Sequence, residues 1–400
     1  MNQNFKGKII LVTVSGPDFP GITAKLMTII SHYSINLLDM GQSVTHGLLS
    51  LSFVLDFALD DATTASGNVL KDLLFESNLL GLNLSYKVLD KETKKLQKMG
   101  EKFSVTCVSP YSINASFIAE LAKTLADNKI NIERIDKMSP YDFNSLEIST
   151  TIDNEFDTKN LKEDLIRVSN SHKVDVAFLK DNIYRRNKRL IVFDMDSTLI
   201  QAEVIDELAL KCGAGDAVKS ITHRAMNGEI DFDQSLKERV QMLKGLSLKE
   251  MQNVLDQLPL TPGVEDFIKT VKSLGYKVAL ISGGFTYFSD ALKNKLNLDY
   301  AFANELEIKE GELTGQVKGP IINAQQKAML LKLIAQQENI SLEQVVAVGD
   351  GANDLPMLAT AGLGIAFHAK EIVKKEAAHH MSHGPMTSIL YFLGIPGPQA

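Results

Sequence analysis

Three short stretches of purely apolar residues, far apart in the chain, constrain the fold more than any other feature. Leu190-Ile191-Val192-Phe193 runs into Asp194-Met195-Asp196-Ser197-Thr198, Val278-Ala279-Leu280-Ile281 into Ser282-Gly283-Gly284, and Val345-Val346-Ala347-Val348 into Gly349-Asp350-Gly351-Ala352-Asn353-Asp354. A strand that is apolar at every position must be buried on both faces, the condition of a parallel sheet covered by helices. Helical stretches between the runs supply the crossovers that parallel strands need. In open α/β sheets ligands gather outside the carboxyl ends of the strands, so these polar turns are expected at one edge.

Residue type then narrows the chemistry. Asp194, Asp196, Asp350 and Asp354, gathered at one edge, would repel one another unless a cation intervened, and all-oxygen ligands favour Mg²⁺. A hydroxyl and glycine backbone N–H groups, as in Ser282-Gly283-Gly284, together with a lysine add anion recognition and point to a phosphoryl group. An aspartate can accept that group as an aspartyl-phosphate, dividing hydrolysis into two easier displacements. A calcium loop starting at Asp350 is excluded, because Leu355 stands where the loop needs glycine and Ala361 where it needs Glu. For Lys327, the segment Gln325-Gln326-Lys327-Ala328 also reads as the exposed start of a helix.

From about residue 189 to 395 these motifs resemble the haloacid dehalogenase superfamily, which implies a Rossmann-like parallel sheet with a cap. By that resemblance Asp194 is the nucleophile, and Asp196 the acid for the leaving oxygen and then the base for water. Ser282 and Lys327 hold the phosphoryl oxygens. Asp350, the Asp194 carboxylate and the Asp196 backbone carbonyl hold Mg²⁺, while Asn353 and Asp354 complete the surround.

Between the first two motifs, residues from Val204 to about 258 are helical and amphipathic, as in a small helical cap suited to a small substrate. Glu203 and Arg239 offer an anion for an ammonium and a planar fork for a carboxylate; the plain alternative is a solvent-facing pair. Glu203, Ala225-Met226, Phe232, Ser235-Leu236 and Arg239-Val240 resemble the cap of the phosphoserine phosphatases within that superfamily. The resemblance implies that Glu203 meets the amino group of phosphoserine, Arg239 its carboxylate, and that Met226 and Phe232 close over it. Rival readings are a phosphatase for a related monoester such as phosphohomoserine, or a catalytically silent amino-acid sensor.

Ahead of this region, strand and helix patterns follow the order βαββαβ twice, at a period of about 95 residues. The elements read as 9–14, 22–30, 35–38, 49–57, 67–79 and 82–89, then 103–108, 113–128, 130–135, 146–152, 161–170 and 174–178. A lysine-rich, apolar-poor stretch after Asp90 separates the copies, and the basic run Tyr184–Arg189 connects the second to the catalytic region. The expected domains are 1–90, 101–180 and 185–400. Gly16, Asp18, Pro20-Gly21-Ile22 and Ile35-Asn36 give the first copy a resemblance to ACT domains, small α+β folds that often bind amino acids. The implied effector site is Asp18, Gly21 and Asn36, with serine as the expected ligand, and such domains commonly pair, so a homodimer is expected. The second copy resembles a degenerate ACT domain, with Ser109-Pro110-Tyr111-Ser112-Ile113-Asn114 in place of the glycine turn.

The net charge of −7 without a long basic block argues against a nucleic-acid groove. No run approaches the roughly 18 apolar residues of a membrane span, so no membrane partner is expected. Cys107 and Cys212 are too few for a disulfide framework, and the opening residues lack a secretory signal's apolar core, which together point to a reducing, cytoplasmic setting. His379, His380 and His383 read as an exposed helix end before Gly384-Pro385.

Overall fold

The computed structural model describes residues 8–33, 35–57, 65–89, 100–140, 142–152, 158–226 and 229–395, with the backbone alone at 65–67, 158–159 and 226. The chain divides into two units, Met1–Met99 and Gly100–Ala400.

The first unit runs β1 (Ile9–Pro17), α1 (Ile22–Ser31), β2 (Asn36–Thr45), β3 (Leu48–Asp56), α2 (Ala65–Leu79) and β4 (Asn83–Leu89). These strands form an antiparallel sheet in the order β2-β3-β1-β4. Alternation along β1 and β3 sends Ile10, Val12, Val14, Leu51, Phe53 and Leu55 into one core with Leu26 of α1 and Leu73 of α2. β2 is much longer than the four residues expected. Every residue of it is exposed, so it carries no burial pattern to read, and its extent is set by pairing with β3, for example Gln42 opposite Leu51.

The second unit begins with the second repeat: β5 (Glu101–Val108), α3 (Ala115–Asp127), β6 (Asn131–Lys137), β7 (Ser145–Ile152), α4 (Thr158–His172) and β8 (Asp175–Lys180). Its sheet order, β6-β7-β5-β8, matches the first. Both edge strands even slip register at the same place, between Leu37 and Asp39 in β2 and between Ile132 and Arg134 in β6. The helix starts differ. α1 begins at Gly21 with φ +101°, a conformation that favours glycine, whereas α3 is capped by the Asn114 side chain, which accepts the Phe117 N–H at 3.0 Å.

Beyond the repeat come β9 (Leu190–Phe193), α5 (Val204–Lys211), α6 (Gly215–Met226), α7 (Phe232–Gln241), α8 (Leu248–Gln257), α9 (Val264–Ser273), β10 (Lys277–Phe285), α10 (Thr286–Leu296), β11 (Tyr300–Lys309) and β12 (Glu312–Lys318). α11 (Ala324–Gln337), β13 (Val345–Gly349), α12 (Leu355–Thr360), β14 (Leu363–Phe367), α13 (Glu371–Glu376) and β15 (His379–Met381) follow. The seven strands are ordered β12-β11-β10-β9-β13-β14-β15, all parallel except the β12 hairpin arm. The continuous apolar runs serve two cores. Ile191, Phe193, Val278 and Leu280 face one side with Phe267 of α9, while Leu190, Val192, Ala279 and Ile281 face the other with Leu331 of α11. Helices α5 to α8 form the insertion between β9 and β10.

The terminal histidines are not an exposed helix end. His379–Met381 pairs beside β14 as an edge strand and His380 is buried, because β14 still has an open edge for a short strand to complete. The basic connector is likewise drawn inward: the Arg185 guanidinium pairs with Glu147 of β7 in a buried contact, and Lys188 Nζ donates to the Glu343 carbonyl at 2.6 Å. Cys107 is buried and Cys212 half-buried, both as free thiols. No helix among the described residues is long and apolar enough to cross a membrane.

Candidate active site

β9 lies between β10 and β13, so the residues leaving the ends of all three meet. Asp194 follows β9 directly and is buried, and the next five residues turn tightly, with Ser197 at φ +55°. Lys327, in the first turn of α11, points its Nζ 2.7 Å from Asp194 Oδ1 and 2.7 Å from Asp354 Oδ1. At 1% exposure Lys327 is not an exposed helix start. Asn323 caps that helix by accepting the Gln326 N–H at 3.2 Å. Asp354 is fully buried, and its second oxygen accepts the Gly351 N–H at 3.0 Å. Gly349 is required beside it, since a Cβ there would lie 2.5 Å from the Asp354 carboxyl. Asp350 accepts the Thr198 hydroxyl at 3.3 Å.

Carboxylate oxygens of Asp194, Asp350 and Asp354 all lie within 4.8 Å of one another. Asp196 stands apart from that trio: its Oδ1 accepts the Val204 N–H at the start of α5, at 2.9 Å. Ser282 is buried, its hydroxyl accepting the Gly284 N–H at 2.8 Å, and a side chain at Gly284 would strike Met195 and Asp196.

The insertion roofs a cleft of about 460 Å³. Glu203, Phe232 and Arg239 line it from the cap, Asp194, Asp196, Asp350, Asn353 and Gly283 from the sheet edge. Glu203 accepts the Ser197 hydroxyl at 2.8 Å, and Arg239, which lines the cleft, donates from Nε to the Ser235 carbonyl at 3.3 Å. The Phe232 ring lies close over Gly283, where a Cβ would sit 3.1 Å from it. Met226 ends α6, and its side chain lies outside the described residues.

Burial dominates the electrostatics. It pushes Asp196 up to about 7, helped by the Glu203 charge and opposed by the Val204 N–H. Burial and the Asp354 charge push Asp350 up to about 7. Asp194 is pushed up by burial and by Asp354, while Lys327 pulls it down. Among the described residues one ammonium thus faces three crowded carboxylates, a donor set that fits a hard divalent cation.

Sequence reasoning gave no role to Asn304 on β11. Its side chain, 1% exposed, donates to the Gly283 carbonyl at 2.8 Å and accepts the Ile322 N–H at 2.8 Å, fixing the glycine turn against the approach to α11. A polar residue inside a strand was the only available signal. Also unforeseen is a wall of the cleft formed by Lys370, Ile372 and Val373. Asp18, Gly21 and Asn36 belong to the first unit. Gly21 precedes α1, the Asp18 N–H donates to the Gly47 carbonyl at 2.9 Å, and Asn36 is exposed at the start of β2.

Comparison with known proteins gives three family matches: a haloacid dehalogenase-like hydrolase over residues 188–362, and ACT domains over 8–87 and 104–179. The chain is 38% identical over 389 residues to a phosphoserine phosphatase of Streptomyces coelicolor, covering 96% of this chain and 92% of that protein. It is 48% identical over 240 residues to one of Archaeoglobus fulgidus, covering 60% and 70% respectively. Among solved structures, a probable phosphoserine phosphatase from Vibrio cholerae in unliganded form superposes with a TM-score of 0.59 at 36% identity, over 74% of this chain and 86% of that one.

Proposed function

Since the chain belongs to the phosphoserine phosphatase family of haloacid dehalogenase-like hydrolases and is an enzyme of that family, we propose that it hydrolyses O-phosphoserine through an aspartyl-phosphate on Asp194, with Mg²⁺. The observation that carries this reading is the closed set at the sheet edge: Lys327 between Asp194 and Asp354, with Asp350 beside them, beneath a cap that presents Glu203 and Arg239.

In the first displacement Asp194 attacks phosphorus and the bond to the serine oxygen breaks. Asp196, which retains its proton to about pH 7, delivers it to that oxygen. In the second, Asp196 takes a proton from water, whose oxygen attacks phosphorus and frees Asp194 and inorganic phosphate. Lys327, the Ser282 hydroxyl, the Gly283 N–H and Asn353 hold the phosphoryl oxygens. Asp194, Asp350 and the Asp196 backbone carbonyl would hold the metal, with Asp354 behind them, and the metal would supply charge neutralisation of the phosphoryl group. Glu203 receives the substrate ammonium, Arg239 its carboxylate, and Phe232 with Met226 closes over it. The product makes this the last step of serine biosynthesis.

In the first unit, the free N–H groups at the start of α1 suit an amino-acid carboxylate, with Asp18 or Asn36 for its ammonium and Gly21 allowing close approach. Serine is the ligand we assign there. The fully exposed edge strand β2 supports a homodimer, and two free thiols agree with a cytoplasmic setting.

Phosphate release from L-phosphoserine, with and without Mg²⁺ and beside Asp194→Asn, tests substrate class, metal and nucleophile together. Release only from phosphohomoserine, or none from any monoester, overturns the reading.

A further inference from the structure

The wall formed by Lys370, Ile372 and Val373 belongs to a segment that continues through α13 and β15 into Ser382-His383-Gly384. The second repeat grips this segment at three points. Asp175, the first residue of β8 and 0% exposed, accepts the Ser382 N–H at 2.6 Å on one oxygen, and the His383 and Gly384 N–H groups at 3.1 and 3.2 Å on the other. Ser169 Oγ on α4 lies 3.5 Å from His380 Nε2, and Lys162 Nζ donates to the Lys375 carbonyl at 2.5 Å.

A carboxylate buried beside apolar strands is costly unless its lone pairs are filled, and three backbone N–H groups fill them here. The loop so held reaches the cleft by a short path. The His368 ring donates to the Gly384 carbonyl at 2.9 Å, the His368 N–H donates to Met381 O at 2.7 Å, and Lys370 stands two residues further on. The first repeat lacks this device: the residue opening its last strand, β4, is Asn83, which is exposed.

We propose that Asp175 is a positioning residue for the phosphatase reaction, and that the second repeat works as a brace for one wall of the substrate cleft. Its own helix start carries the Asn114 side chain on the N–H that a ligand would use, which agrees with a bracing role. The inference rests on the cleft being the phosphoserine site.

The test uses the full chain with Asp175→Asn, which keeps the shape but turns an NH₂ toward backbone donors. Amide hydrogen exchange should quicken at Ser382–Gly384 and also at 368–376, and KM for phosphoserine should rise about three- to tenfold with kcat within about twofold. Faster exchange confined to 382–384 with unchanged KM, or a lowered melting temperature alone, overturns the proposal by reducing Asp175 to a domain fastener. Should that variant not fold, Lys162→Met with Ser169→Ala leaves Asp175 in place and should shift exchange at 368–376 and KM in the same direction; no shift overturns the brace. If the wild-type chain does not hydrolyse phosphoserine, the substrate reading fails, and exchange at 368–376 judges the brace independently.

Discussion

Asp194 and Asp196 are two positions apart and both buried among carboxylates, yet their nearest partners differ. The first has an ammonium at 2.7 Å, while the second has a backbone N–H and the repelling charge of Glu203. Burial raises both carboxyls, so in the proposed mechanism it is the Lys327 contact that favours Asp194 as the attacking anion, while Asp196 keeps a proton near neutrality. Asp194→Asn is expected to abolish turnover with the melting temperature preserved, and a beryllium fluoride adduct should map to Asp194 in the wild type; a phosphoenzyme on serine or histidine would sink the mechanism. Asp196→Asn should slow both displacements by about 10²- to 10⁴-fold. In the proposed reading Arg239 acts on the substrate's other end. Arg239→Ala should lose about 10- to 150-fold in kcat/KM for phosphoserine, the equivalent of about 1.5–3 kcal/mol of charge-assisted bonding. Phosphoethanolamine, which has no carboxylate, should be a poor substrate and lose far less. Equal losses on both would assign Arg239 to the fold or to the phosphoryl group.

At the scale of elements, the ends of β9 and β13 concentrate negative charge, and this ties metal affinity to pH. The side chains of Asp196 and Asp350 are pushed up to about 7 in the fold, against an unfolded value of about 4. The stability they contribute is therefore complete below about pH 4 and is lost as pH rises through about 7, where buried carboxylates give up their protons. His379 and His380, pushed down to about 4 by burial, act oppositely, losing stability as pH falls from about 6.5. The difference between melting temperatures with and without Mg²⁺ removes the histidine contribution and should widen from pH 5 to pH 8 as Asp350 gives up its proton; a constant difference would detach the metal from Asp350. The strand ends themselves were legible because apolar runs stop abruptly at Asp, Ser and Gly. Lys327 was ambiguous because its neighbours, Gln325 and Gln326, are polar and its burial comes from Asp194 and Asp354, remote in sequence. β2 was legible only at its apolar start, since pairing and not burial fixes its length. The wall at 370–373 left no signature, for it is placed by contacts from the second repeat.

For the whole molecule, the repeats are alike in topology and unlike in employment. The first keeps an uncapped helix start and the second fastens to the catalytic sheet. A chain beginning at Gly100 is therefore expected to fold and hydrolyse phosphoserine, yet to lose any serine inhibition that is not competitive with substrate. Asp18→Ala in the full chain should weaken that same component, and calorimetry should show the loss of a serine site. Undiminished non-competitive inhibition after truncation would place the effector elsewhere. The burial of one thiol and not the other has a practical consequence. Burial pushes both thiols up, Cys212 with help from Glu250, but Cys107 is sealed in a β5 core whereas Cys212 closes the C-terminal end of α5 in the cap and is partly accessible. A maleimide dye should thus attach first at a single native position, placing a fluorescent label on the cap of the untouched wild-type chain.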